Sequence, residues 1–140
     1  MSPTRLRPPP SRSSVTMLDL AQTCLVEAAA AQRPAERYVA AHLAALRGAA
    51  AVLASRAHAG AGRPRRPVSA WALLGALAPE LTEWAAFFAA GAATRQAAEA
   101  GATGVVTQRD ADDLLRDAET FLAVVAATIE PAPWRGIPVG

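Results

Sequence analysis

Arg37 and His42 stand in "ERYVAAHLAALRGAA", residues 36–50, with four residues between them. Such a pair could be the working pair of an RNA-cleaving site. An imidazole with a pKa near neutrality takes the proton of a ribose 2′-hydroxyl. A guanidinium stabilises the negative charge that then builds on the phosphorane. The same stretch also reads as an ordinary helix flank. Tyr38 and His42 are four residues apart and share one side, each keeping its polar tip near water or bonded to a neighbouring helix. On a regular helix five positions turn through about 500°, which leaves Arg37 and His42 some 140° apart. Periodicity therefore favours the flank over the catalytic pair.

A second candidate is "GRPRRPVS", where Arg63, Arg65 and Arg66 sit among prolines. The planar fork of arginine suits phosphate, so these three are the candidate nucleic-acid contacts. Arg5, Arg7 and Arg12 could add to them. The alternative is a solvated loop lying against the acidic second half of the chain, which has three arginines and nine acids between residues 69 and 130. The densest acids lie in "RDADDLLRDAE", where Asp113 and Asp117 share a face and a divalent ion is conceivable. The spacings of Arg109 to Asp113 and of Asp112 to Arg116 predict instead a salt-bridged, solvated face.

Other chemistries fall away. Two histidines and one cysteine without metal-ligand spacing offer no zinc site. There is no phosphate loop or dinucleotide glycine pattern, and no serine in an elbow context, so neither metal nor cofactor is expected. Cys24, the single cysteine, allows no intrachain disulfide and fits a reducing compartment. Lying among Leu20, Leu25 and Ala28, it reads as a buried, inert thiol. The first residues are basic but have no apolar segment behind them, unlike a secretory signal. The longest uncharged run, "PVSAWALLGALAP", is shorter than the roughly 20 residues a membrane crossing needs. A cytoplasmic protein with no membrane contact is the expectation.

The elements that would carry these residues are helices. Of the 140 residues 52% are apolar, and about a quarter are alanine, the strongest helix former, while strand formers are few. The spacing predicts helices over 17–32, 34–57, 69–77, 79–100 and 108–130, with residues 1–15 a disordered basic arm and 131–140 a flexible tail. Thr16 and Ser69 are expected N-caps, Pro34 suits a first turn, and "TQRD" at 107–110 reads as a capping box. The expected buried stripes are Val39, Leu43, Leu46, Ala50 and Leu53 on the second helix, and Ala111, Leu115, Ala118, Leu122, Val125 and Ile129 on the last. Trp71, Trp84, Phe87 and Phe88 are expected to fill the core. The result is an all-α, compact antiparallel bundle of four long helices and one short one, formed by residues 16–130.

The segments "AERYVAAHLAALRGAAAVLASR", "SAWALLGALAPELTEWAAFFAAGA" and "DADDLLRDAETFLA" resemble the HEPN superfamily, and within it a HEPN-like family of GC-rich bacteria. The resemblance implies a bundle of four or five helices of a kind in which many members are RNases or RNA-binding partners, so RNA, a second copy in a homodimer or another protein is the expected partner, with a purely structural interaction bundle as an alternative. HEPN ribonucleases use an arginine followed four to six residues later by histidine, joined across a dimer and independent of metal. Arg37 and His42 match that spacing. The polar residue that usually follows the arginine is here Tyr38, and the motif usually lies on a later helix.

Overall fold

The computed structural model describes residues 11–57 and 69–129. Among them every regular element is helical: α1 (Arg12–Ala30), α2 (Pro34–Arg56), α3 (Ala70–Leu77), a 3-10 turn (Pro79–Leu81), α4 (Thr82–Ala90), α5 (Ala92–Glu99) and α6 (Gln108–Ile129). The all-α class holds, with two corrections to the expected elements. The first helix begins at Arg12, so residues 12–15 belong to the bundle and not to an arm. Its cap is Ser11, not Thr16: the Ser11 hydroxyl accepts the Ser14 amide at 3.0 Å. Ser14 is fully buried and donates to the Ala51 carbonyl at 2.9 Å, fastening the start of α1 to the end of α2. A polar run with little to bury gave no sign of this long-range bond.

The second correction is that the helix expected over 79–100 is broken. Pro79 opens the 3-10 turn, and Gly91 separates α4 from α5. The expected punctuation is otherwise in place. Ser69 accepts the Ala72 amide at 3.0 Å, and Pro34 occupies the first turn of α2. Thr107 and Asp110 exchange side-chain to backbone bonds at 3.0 Å each, a reciprocal capping box that starts α6. Gly101 and Gly104 take φ of +88° and +78° in the turn between α5 and α6, where a side chain would be strained.

Helix α2 is the centre. It packs on α1, α6, α5 and α3. By length and composition it is the one described helix apolar enough to cross a membrane, and the other helices bury a little under half of that stretch. Its innermost face differs from the expected leucine stripe. Ala41, Ala44, Ala45, Ala49 and Ala51 are fully buried together with His42, Gly48 and Val52, whereas Val39, Leu43, Leu46, Ala50 and Leu53 are only half-buried. A helix surrounded by neighbours gains most by turning its small residues to the nearest of them, because axes then approach toward the close end of the ~8–10 Å range.

The short α1–α2 connection makes those helices antiparallel, as Ser14 beside Ala51 requires. α6 instead runs in the same direction as α2. Arg37 meets Asp112 near their starts, and Gly48 faces Phe121, Leu122 and Val125 further along. The segment from α3 to α5 is the crossover that makes this parallel pairing possible. Between α2 and α6 it lays down the aromatic core. Phe88 lies 5.2 Å from Trp71, 6.0 Å from Trp84 and 5.1 Å from Phe121, measured between ring centres. Phe87, expected in that core, is instead 46% exposed. On α6 the expected stripe is buried apart from Leu115, which is partly exposed, and Leu114 and Phe121 extend it.

A Cβ placed on Gly48 would lie 2.5 Å from Leu122 Cδ2, a methyl in a filled core. Gly48→Ala is expected to lower stability by about 1 kcal/mol, because overpacking (roughly 1–3 kcal/mol) outweighs a helix-propensity gain of about 1 kcal/mol. Urea unfolding measures the loss, and adding Leu122→Val should recover part of it. Unchanged or raised stability in Gly48→Ala would contradict the close approach.

Candidate functional site

Arg37 projects from the first turns of α2 across the end of α1. Its Nε donates to the Ala28 carbonyl at 3.1 Å, and Nη2 donates to Ala29 and Ala31 at 3.2 and 2.8 Å. Nη1 pairs with Asp112 Oδ1 at 2.5 Å. Four of its five N–H groups are thereby engaged. The last carbonyls of a helix are its negative end and lack intrahelical donors, so a guanidinium there is a C-cap supplied by another helix. Asp112 also accepts from Gln108 at 2.8 Å, and Arg37 followed by Gln108 holds its carboxyl below the usual carboxylate range. The expected Asp112–Arg116 pair does not form, since Arg116 turns to Asp113 at 3.6 Å.

His42 is 1% exposed. Nε2 lies 2.9 Å from the Phe88 carbonyl, and the ring packs edge-on against Trp71 and Phe88 at 5.9 and 6.1 Å. The partner is a carbonyl, so Nε2 carries the proton and Nδ1 is left as a bare lone pair with no protein partner. Burial pushes the imidazole below its ordinary value of 6.5, outweighing the Phe88 bond, which raises it. The bond answers a need of the fold. At the Gly91 break the continuous helical ladder is interrupted, and His42 supplies a second donor to Phe88 alongside the Gly91 amide at 3.0 Å. A Cβ on Gly91 would stand 2.9 Å from Tyr38 Oη and 3.5 Å from His42 Cδ2, so glycine is what lets both rings approach.

The candidate pair is therefore not brought to a shared open cleft. Arg37 faces the end of α1 and Asp112, and His42 faces a sealed aromatic pocket. Tyr38 and His42 take the flanking positions that the four-residue spacing suggested, although both are buried. Arg63, Arg65 and Arg66 lie outside the described residues, as does most of the expected basic arm. No group of three or more histidine, cysteine or acidic side chains is placed to hold a metal among the described residues.

Two of the open grooves among the described residues flank α2. One, of about 520 Å³, is floored by Val39, Leu43 and Cys24 and rimmed by Glu27, Glu36 and Glu99. It accounts for the half-burial of Val39 and Leu43. Cys24 is not fully buried as expected, and burial still pushes its thiol up. The other, of about 430 Å³, has Tyr38 and Leu114 with Phe87 and Val105 on its apolar side, and Asp110, Asp113 and Asp117 along α6. Burial, followed by the neighbouring Asp113, raises the Asp117 carboxyl, whereas Thr107 lowers that of Asp110. Sequence reasoning read these aspartates as solvent dressing and Phe87 as core. The groove needs the α4–α5 break and the Gly101–Gly104 turn, neither of which has a periodic signature.

Both polar pins are testable through stability. Arg37→Ala should cost about 2 kcal/mol, and Arg37→Lys should restore little because a point charge cannot cap three carbonyls. For His42, the folded state holds the ring neutral while the unfolded chain takes a proton near 6.5. Its stabilisation is thus complete above that pH and is lost as pH falls toward the lower folded value. Chemical unfolding between about pH 7.5 and 5.5 should show wild type weakening more steeply than His42→Gln, and parallel curves would refute the buried neutral ring.

Residues 28–126 match the model of a family described as HEPN_SAV_6107-like HEPN. No curated protein and no solved structure matches the chain.

Proposed function

The chain belongs to the HEPN_SAV_6107-like HEPN family, and from that premise we propose that it works as a binding module and does not itself cut RNA. The observation that carries this reading is the use made of Arg37 and His42. The guanidinium is spent on three carbonyls and a carboxylate, and the imidazole on the Phe88 carbonyl inside the aromatic core. General-base catalysis needs the base within about 2.6–3.2 Å of the proton it removes. Reaching a ribose from His42 would require opening the contact among α2, α3 and α4.

The partner best suited to the described surface is a protein, either a second copy or another chain. The α6 side of the molecule is acidic and repels phosphate. RNA binding is a second reading, favoured by Arg63, Arg65 and Arg66, with the three charges acting as phosphate clamps. The ribonuclease reading rests on the Arg37–His42 spacing alone, with His42 as base and Arg37 as phosphate stabiliser.

Purified protein incubated with mixed RNA in EDTA should leave it intact. Metal-free cleavage that disappears in His42→Gln, while helical circular dichroism persists, would overturn the proposal in favour of the nuclease. Gel shifts at low and moderate salt read the RNA-binding alternative. If the loop arginines are the contacts, their triple alanine variant should weaken any shift and flatten its salt dependence.

A further inference from the structure

Four large apolar side chains are exposed among the described residues: Leu20, Val26, Phe87 and Val105. The first two lie on α1. Phe87 on α4 and Val105 in the turn between α5 and α6, 46% and 39% exposed, open onto the same groove, above Tyr38 and Leu114. Soluble proteins scatter single apolar residues over their surfaces, but convergence of two in one concavity marks a place where something binds. Its volume, about 430 Å³, fits one or two side chains.

The opposite wall identifies the charge of the occupant. Asp113 and Asp117 stand one turn apart on α6, and no cationic residue lines the groove. Asp113 meets Arg109 and Arg116 only at 3.9 and 3.6 Å, and those arginines are 91% and 72% exposed, so they hold it loosely from outside. Asp110 is committed to the Thr107 amide. An entering cation would relieve the repulsion between Asp113 and Asp117 and lie across the exposed Phe87 ring, where the quadrupole adds cation–π attraction. A phosphate backbone would meet two carboxylates and no donor cation.

We infer that this groove docks a basic segment of a protein partner, inserting one arginine or lysine side chain between Phe87 and the Asp113–Asp117 pair with an apolar neighbour on Val105 and Leu114. The inference rests on the binding-module reading and gives its partner a chemical class. Complementary charge of this kind sets partner choice and encounter rate, and the apolar floor supplies the contact that outlasts encounter.

The test uses the full chain and a fluorescein-labelled decapeptide alternating arginine and leucine, followed by anisotropy near physiological salt and by amide NMR. Binding should move the resonances of Phe87, Thr94, Val105 and Asp117. Asp113→Asn with Asp117→Asn, and separately Phe87→Ser, should each weaken it about tenfold, as losing a central contact does. All three positions are partly or fully exposed, so the variants retain the fold, which circular dichroism verifies. A glutamate–leucine decapeptide and a ten-nucleotide oligouridine should leave the groove unmoved. Undiminished binding in either variant, shifts confined to other surfaces, or oligouridine binding in the groove overturns the inference. Concentration-dependent self-association abolished by the aspartate substitutions also overturns it, by making a second copy the occupant. The EDTA cleavage assay separates the two proposals: a chain that cuts RNA yet binds the peptide refutes only the non-cleaving role.

Discussion

Small side chains at the middle of α2 are the constraint on which the rest of the structure depends. Gly48 leaves a space that Leu122 fills, and the surrounding alanines let α1 and α6 lie against the same helix. Close packing of this kind gains many weak contacts and leaves little volume for bulk. The large side chains are displaced to one region, between α2 and the crossover, where Trp71, Phe88 and Phe121 stack. The bundle thus has a thin side made of alanine and a thick side made of aromatic rings.

Among the described residues, three polar side chains bind backbone carbonyls of neighbouring helices. Arg37 answers the carbonyls at the end of α1, Ser14 answers a carbonyl of α2, and His42 answers the break between α4 and α5. Each bond ties one helix to the backbone of another. Buried polar groups are costly unless bonded, so such pins also fix which arrangement of helices is adopted.

Much of the fold was legible in the sequence. Alanine content and the four-and-three spacing gave the helices, and proline, Ser69 and the Thr107–Asp110 box gave their ends. What was hidden has a physical pattern. The four-and-three spacing of the α2 stripe presumes one buried face, but a helix that packs on α1, α3, α5 and α6 hides its smallest residues deepest. The start of α1 depended on a bond to Ala51, 37 residues away. For the site, spacing alone correctly made Tyr38 and His42 neighbours and set Arg37 apart. It could not show that Asp112 is the partner of Arg37, because that contact spans 75 residues and competes with a local arginine at the favoured helical spacing.

That separation bears on how the protein is made. On a ribosome α1 and α2 emerge first and can close as a hairpin, with Arg37 already seated on the carbonyls of Ala28, Ala29 and Ala31. Its carboxylate, and the leucine that occupies the hollow at Gly48, arrive only with the final helix. Until then the alanine surface of the nascent hairpin faces the surroundings uncovered, a stage at which chains are prone to associate wrongly or to need a chaperone. Close packing around α2 thus waits on α6, the last of the described helices, because Leu122 and Asp112 both lie on it.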